Sequence, residues 1–599
     1  MKDETIPLRK DVPAEYKWDL TQLYKTDDEW EADLKKIPSL VKNFASFKGR
    51  LAESSSIFLE ALKADEALDR QIEKVYHYAS LNNEADQGDS TAQEKYSRVM
   101  MAYTAACSET SFFTPELLAI PDEKINSWIE QPEFKDYKIY IQKALHAKPH
   151  ILSEKEERIM ALQSESGQTA SNVFSLLNDV DMNFGTVEVE GKQLPLTHST
   201  WSDFEENQDR KIRKEAYEKF YGVFESHANT LAALYSGSVK NDIFHARARG
   251  YNSSLEAALY GDKVPVSVYK NLIETVHKNL DTLHRYYEIR RKVLGVEELR
   301  HYDVYVPLVK SVKSKISYDE SVEIVRNALA VLGSEYTDTL CGGLKGGWVD
   351  RFENKGKNSG AFSSGCYEGY PYILLNYKDT SLRDVYTMAH EGGHSMHSWY
   401  SVRNNPFMSY EYTIFEAEVA STFNEELVFE HLLKNAKDHE MKKYLLSMRA
   451  NDILATLHRQ TMFAEFELKC HEAVENNEPL STEAIRSIYR KLLEQYFGSA
   501  MKFEKSSDME GLRIPHFYNA FYVYKYSTGI SAALALAKRV VNGGKQEHDD
   551  YFKFLKSGGS RYPIESLKVA GVNMESTEPV QAALDTFKDL VDQLEKELL

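Results

Sequence analysis

The sequence predicts a mainly helical body carrying one small antiparallel sheet, and three observations predict it. Long stretches rich in Glu, Lys, Leu, Ala and Tyr repeat their apolar residues at helical spacing, Gly and Pro clusters are sparse, and alternating or β-branched runs occur in only two places. The 599 residues, 42% hydrophobic and 28% charged, can bury a large core, which excludes collagen-like, low-complexity and wholly disordered classes. No fixed-period self-similarity marks a solenoid.

The clearest helical stretches run over 27–47, 53–85, 205–249 and 266–293. The glycines at Gly342, Gly343, Gly346 and Gly347, at Gly543 and Gly544, and at Gly558 and Gly559 read as loops. Between Thr186 and Leu196 apolar and polar residues alternate around Glu190-Gly191-Lys192, a hairpin signal. It closes an N-terminal helical lobe, residues 1–200, ahead of a second segment, 201–599. The small sheet is expected from Tyr302 to Leu308, through Gly360-Ala361-Phe362-Ser363-Ser364-Gly365, and from Tyr370 to Asn376.

Composition narrows the partners. Lys and Arg number 73 against 92 Asp and Glu, a net charge of −19 that repels phosphate backbones and argues against nucleic acid. The four cysteines, Cys107, Cys341, Cys366 and Cys470, form no C-x-x-C pair, which fits a reducing compartment and suggests neither a disulfide framework nor a cysteine metal site. No run of about 18 apolar residues marks a membrane span, and MKDETIPLRK is followed by no apolar segment. A cytoplasmic protein with no membrane partner is expected.

Residues His390-Glu391-Gly392-Gly393-His394 carry the chemistry. In an H-E-x-x-H segment the two His lie one helical turn apart and can share a zinc ion, while the Glu acts as general base. Ser381 and Asp384 offer a capping box, and Leu382, Val385, Met388 and Ala389 continue the helical spacing into the motif. Two glycines cost a helix about 2 kcal/mol relative to Ala, a penalty understandable where another backbone or a substrate comes close. A hydrolytic zinc takes a third protein ligand. The following helix offers Glu411, Glu416, Glu418 and Glu425, of which Glu418 and Glu425 share a face, so that one can ligate while the other orients a ligand histidine.

His390 to His397, with Phe415-Glu416-Ala417-Glu418-Val419-Ala420-Ser421, resembles the thimet-oligopeptidase-like zinc peptidases, in particular their bacterial oligoendopeptidase F branch. Gly360-Ala361-Phe362, Tyr370 to Asn376, Ile514 to Tyr518 and Ser557 to Ser560 extend the likeness over most of residues 200–585. The resemblance selects Glu418 as third ligand and implies one Zn²⁺ per chain, a two-lobed helical shell around a deep channel, and short unstructured peptides as substrates. His397 matches a family histidine but stays outside the ligand set.

The segment 516–526 is dense in hydroxyl and imidazole donors suited to an oxyanion. The resemblance points there to His516 and Tyr524 as catalytic, with Tyr518 and Tyr522 as substrate contacts beside Gly360 and Ala361 at the sheet. The sequence departs from the family at Phe521, where thimet oligopeptidases have a Tyr, and at Gly392, where many relatives have a bulkier residue. Glu391 is expected to take a proton from the attacking water and return it to the leaving amine. Two alternatives stand beside an endopeptidase: a metallocarboxypeptidase, which would give ladders from the C-terminus, and a helical peptide-binding protein without turnover.

Overall fold

The computed structural model describes residues 6–309 and 315–599. Helices dominate, and among the described residues strands are confined to three small sheets. The expected stretch 53–85 is one helix, Ser55–Ala85, started by the Ser54 hydroxyl, which accepts the Ile57 N–H. The others break where local chemistry favours it. Residues 27–47 divide into Asp27–Leu34 and Ile37–Ala45, the second opening with Pro38 in its first turn, where a missing N–H costs nothing. Residues 205–249 restart at Asp209, whose carboxylate caps Arg210–Ser226, and residues 266–293 break at Asn279, which leaves helical geometry.

Two compact units emerge, one from Met1–Pro149, Lys313–Lys434 and Leu536–Val572, the other from His150–Val312, Asn435–Ala535 and Asn573–Leu599. A single cut near residue 200 does not follow these units. The reason is packing in the first unit: Trp18, Trp30, Phe44, Phe58 and Phe134 share one core with Cys366, Tyr372 and Leu374 of the sheet region. Ion pairs tie the same parts together. Asp350, fully buried, receives the Arg9 guanidinium and, at 2.8 Å, the ammonium of Lys357, itself buried and bonded to the carbonyls of Phe352 and Leu375.

The three-stranded sheet of this unit is mixed, which corrects the all-antiparallel expectation. Phe362–Ser364 pairs antiparallel with the central Tyr372–Leu374, but Val349–Asp350 lies parallel on its other side. Tyr302 to Leu308 is not part of it: His301–Asp303 is a 3₁₀ turn in the second unit, with Asp303 taken by Arg210 and Arg213. Gly342 and Gly343 are helical, not loop. They end the helix Ser334–Lys345, and a Cβ on Gly343 would stand 2.2 Å from the Trp348 ring.

In the second unit the hairpin forms as expected. Thr186–Val189 pairs with Lys192–Pro195 through a two-residue loop, Glu190 and Gly191, both at positive φ as a type I′ turn requires. Among the described residues no helix is long and apolar enough to cross a membrane.

Candidate metal centre

The motif lies on an unbroken helix, Leu382–Asn404, in the first unit. Ser381 sits at its N-cap, but the expected capping box does not close: the Asp384 carboxylate instead accepts the Lys378 N–H at 2.6 Å. The two glycines explain themselves by contact with neighbours. A Cβ on Gly393 would stand 2.5 Å from the Ala420 carbonyl oxygen and 2.6 Å from the Ser421 Cα, both on the helix Ile414–Lys434. A Cβ on Gly392 would press on Leu340 at 3.1 Å. The close approach this permits is fastened by Asn424, whose side chain donates to the Ala389 carbonyl at 3.1 Å.

Across that contact, Oε2 of Glu418 stands 3.4 Å from Nε2 of His390 and 3.6 Å from Nε2 of His394. Ligands at ordinary zinc distances around a tetrahedron are separated by about 3.3 Å, so the three groups fit one ion. They form the one such cluster among the described residues. Glu425 lies behind them: its Oε1 is 2.9 Å from Nδ1 of His390, which favours the tautomer that leaves Nε2 for the metal. Ser421 donates to Glu418 at 3.0 Å. Glu416, fully buried, turns away to Thr413, and Glu411 lies on the pocket wall outside the cluster.

The electrostatics are those of a site built for a cation. Burial opposes the charged form of His390, yet the hydrogen bond and charge of Glu425, with Glu391 and Glu418, lift it to about 9. Burial likewise pushes Glu418 up, but His394, His390 and Ser421 outweigh it and bring the carboxyl down to about 2. Glu391, 6% exposed, is held above its ordinary value, burial prevailing over the two histidines.

A cavity of about 490 Å³ opens onto these residues. Phe362 and Ser363 of the edge strand form one side, and no strand among the described residues covers that strand's outer edge. Ala361 is on the cavity wall. Gly360 lines a smaller adjoining depression, where its carbonyl accepts from Asn376 at 2.9 Å. Sequence reading missed Tyr412, whose ring lines the cavity and stacks at 3.7 Å on His397, its hydroxyl 3.0 Å from Ser398. Its only sequence signal is an aromatic residue just ahead of the carboxylate helix. His397 is fully buried and outside the metal cluster.

The remaining expected residues belong to the second unit. His516 is exposed on the 3₁₀ turn Pro515–Tyr518, with the rings of Tyr522 and Tyr526 each 6.2 Å away. Tyr524, 1% exposed, packs at 5.1 Å on Tyr269, and burial raises its hydroxyl pKa. Tyr518 stacks on Phe174 at 4.5 Å.

Comparison with known proteins supplies the family. The profile of peptidase family M3 matches residues 204–586, and that of oligopeptidase F matches 116–184. The chain is 43% identical to an oligoendopeptidase F homolog of Borreliella burgdorferi, covering 98% of this chain and 99% of that one. It is 40% identical to oligopeptidase PepF of Bacillus subtilis, over 100% and 89%. The crystal structure of oligoendopeptidase-F from Enterococcus faecium superimposes with a TM-score of 0.72 at 32% identity, over 96% and 100%.

Proposed function

From the premise that the chain belongs to peptidase family M3, in its oligoendopeptidase F branch, and is a metallopeptidase, we propose that it is a zinc endopeptidase cutting internal bonds of short unstructured peptides. The observation that carries this is the convergence of His390, His394 and Glu418 around one ion-sized space, with Glu391 buried beside it and an open strand edge along the same cavity. We assign the ion to zinc, one per chain, because two imidazoles and one carboxylate are a zinc donor set. When bound, zinc supplies a Lewis acid that polarises a peptide carbonyl and makes water acidic.

The chain's own groups do the rest. Glu391, whose raised pKa suits it to carry a proton, takes one from the attacking water and delivers it to the leaving amine. Glu425 holds His390 in its tautomer. The free edge of Phe362–Ser364 accepts the substrate as an added strand, through main-chain hydrogen bonds indifferent to sequence. We assign oxyanion stabilisation to His516 and Tyr524 and substrate contacts to Tyr518, Tyr522, Gly360 and Ala361, on the family resemblance. Along the chain, rather than by compact unit, we take residues 1–200 as the N-terminal helical lobe and 201–599 as the segment carrying the catalytic groups, and place the enzyme in the cytoplasm as a trimmer of peptide fragments.

The test is mass spectrometry of a mixed-length peptide set incubated with the protein, with its metal chelated and with zinc restored. Internal cuts lost on chelation and recovered with zinc support the proposal. C-terminal ladders would make it a carboxypeptidase, and cleavage indifferent to chelation would remove the metal from the mechanism.

A further inference from the structure

The metal cavity has a larger neighbour in the same compact unit. A second cavity, of about 690 Å³, shares Tyr410 and Glu411 with it as a common wall. Its other walls come from the helices Ser55–Ala85, Ser90–Thr110 and Lys138–His146. Two kinds of surface meet there. Tyr76, Tyr103, Tyr140 and Phe407 contribute aromatic rings, while Asp69, Glu73 and Glu411 contribute carboxyl groups. Among the described residues Lys143 is the only Lys or Arg in the lining, and its ammonium donates to the Gly559 carbonyl at 2.7 Å. Glu73 is fixed in place, accepting the Tyr410 hydroxyl and the Tyr367 N–H.

Three acidic groups outnumber the one engaged ammonium in this lining. Burial holds Glu73 at about 7 and, with the charge of Glu411, Asp69 at about 6. One layer behind, Asp65 is at about 8, raised by burial and by Asp69, with the Tyr140 hydroxyl donating to it at 3.3 Å. A cation entering the cavity would pair with Glu73, which is half-buried, and with Asp69 and Glu411, which keep exposed surface.

We propose that this cavity is a substrate subsite that receives an arginine side chain of the peptide being cut. The proposal rests on the peptidase reading above. Arginine is the side chain that matches both surfaces: its stem and planar guanidinium lie against aromatic rings, and its fork of N–H donors meets carboxylates. An acidic side chain is repelled by the same wall. The shared wall of Tyr410 and Glu411 makes the two spaces neighbours, so a single extended peptide, advancing about 3.3 Å per residue, reaches from the metal cavity into this one within a few residues.

The experiment uses the zinc-loaded protein and a peptide series in which one arginine moves through every position around a fixed cut, each paired with a twin carrying citrulline, which keeps the shape and removes the charge. At one position the arginine peptide is expected to be cut with a kcat/KM about tenfold above its twin, roughly the effect of one charge-assisted contact. That ratio is expected to fall toward one in Asp69→Asn and in Glu73→Gln. Asp69 has no fixed hydrogen-bonding role among the interactions described, so its variant guards against a folding failure in the other. Equal cutting of every pair overturns the subsite and leaves the peptidase reading standing. An arginine preference spread evenly over all positions also overturns it, since a net charge of −19 attracts cations without any pocket. Absence of cleavage in both twins overturns the peptidase reading, and the subsite with it.

Discussion

The helix pair around His390 and Glu418 and the segment from His516 to Tyr526 hold the groups we assign to them by different means. In the first, ligands one turn apart on a helix meet a second helix whose backbone is pressed against Gly393, so geometry follows from two rigid rods and one contact. In the second, a 3₁₀ turn leads through Phe521 at a φ of +59° before the helix Tyr524–Asn542 begins. That left-handed, bulky residue is held by a buried carboxyl: Glu467 accepts the Phe521 N–H at 3.0 Å, and the His471 ring lies 4.5 Å from the Phe521 ring. Chemistry placed on rods depends on how closely they approach, and chemistry placed on a turn depends on the one side chain that fixes its shape.

Breaking the comparison starts at the reacting group. Glu391→Gln keeps the helix pair intact and removes only proton transfer, so kcat/KM should fall about a thousandfold with zinc content unchanged, as peptide hydrolysis and metal analysis together would show. Near-wild-type turnover would remove Glu391 from the base role. Glu425→Gln spares the helices but loosens His390, and zinc titration against a competing chelator should show affinity down by about tenfold to a hundredfold. Gly393→Ala attacks the approach itself. Its Cβ would collide with the Ala420 carbonyl, so denaturant unfolding should show a loss of about 1–3 kcal/mol together with weaker zinc binding. Unchanged values for both would show that the helices have room to spare.

The smallest effects sharpen the other side. Glu467→Leu leaves the Phe521 N–H buried without an acceptor and should cost about 1–3 kcal/mol of stability, while Glu467→Gln, which keeps an acceptor oxygen, should cost less. Burial raises Glu467 well above its ordinary value, the Phe521 N–H only partly opposing it. The folded state therefore holds a proton that the unfolded chain releases above about pH 4.3, and this group makes stability fall as pH rises from there. Measured across that range, the decline should be shallower in Glu467→Gln than in the native protein.

This contrast also explains how much the sequence disclosed. Helical content, the Glu190-Gly191 hairpin and the motif helix all follow local rules of period and turn chemistry, and they were legible. Glu418 and Glu425 were legible as a pair because spacing alone puts them on one face, though only resemblance chose between them. Gly393 carried a readable penalty, and Ala420 turned out to be its cause. What escaped depends on distant contacts. Val349–Asp350 is two residues long and has no period to read, so its parallel pairing was invisible. Gly342 and Gly343 read as loop because the Trp348 ring packed against them could not be foreseen. Tyr412 acquires its place only when His397 is stacked beside it, and the wall it shares with the metal ligands spans three separate stretches of chain.

The core shared by Trp18, Trp30 and Phe58 with Tyr372 and Leu374 has a consequence in time. At about 5–20 residues per second of synthesis, the earliest of these side chains wait on the order of tens of seconds for their partners to leave the ribosome. During that interval the apolar faces that Cys366, Tyr372 and Leu374 will cover stay open. The same packing that seats the sheet on the beginning of the chain leaves one apolar face of the first 149 residues uncovered until residues 366–374 have been made.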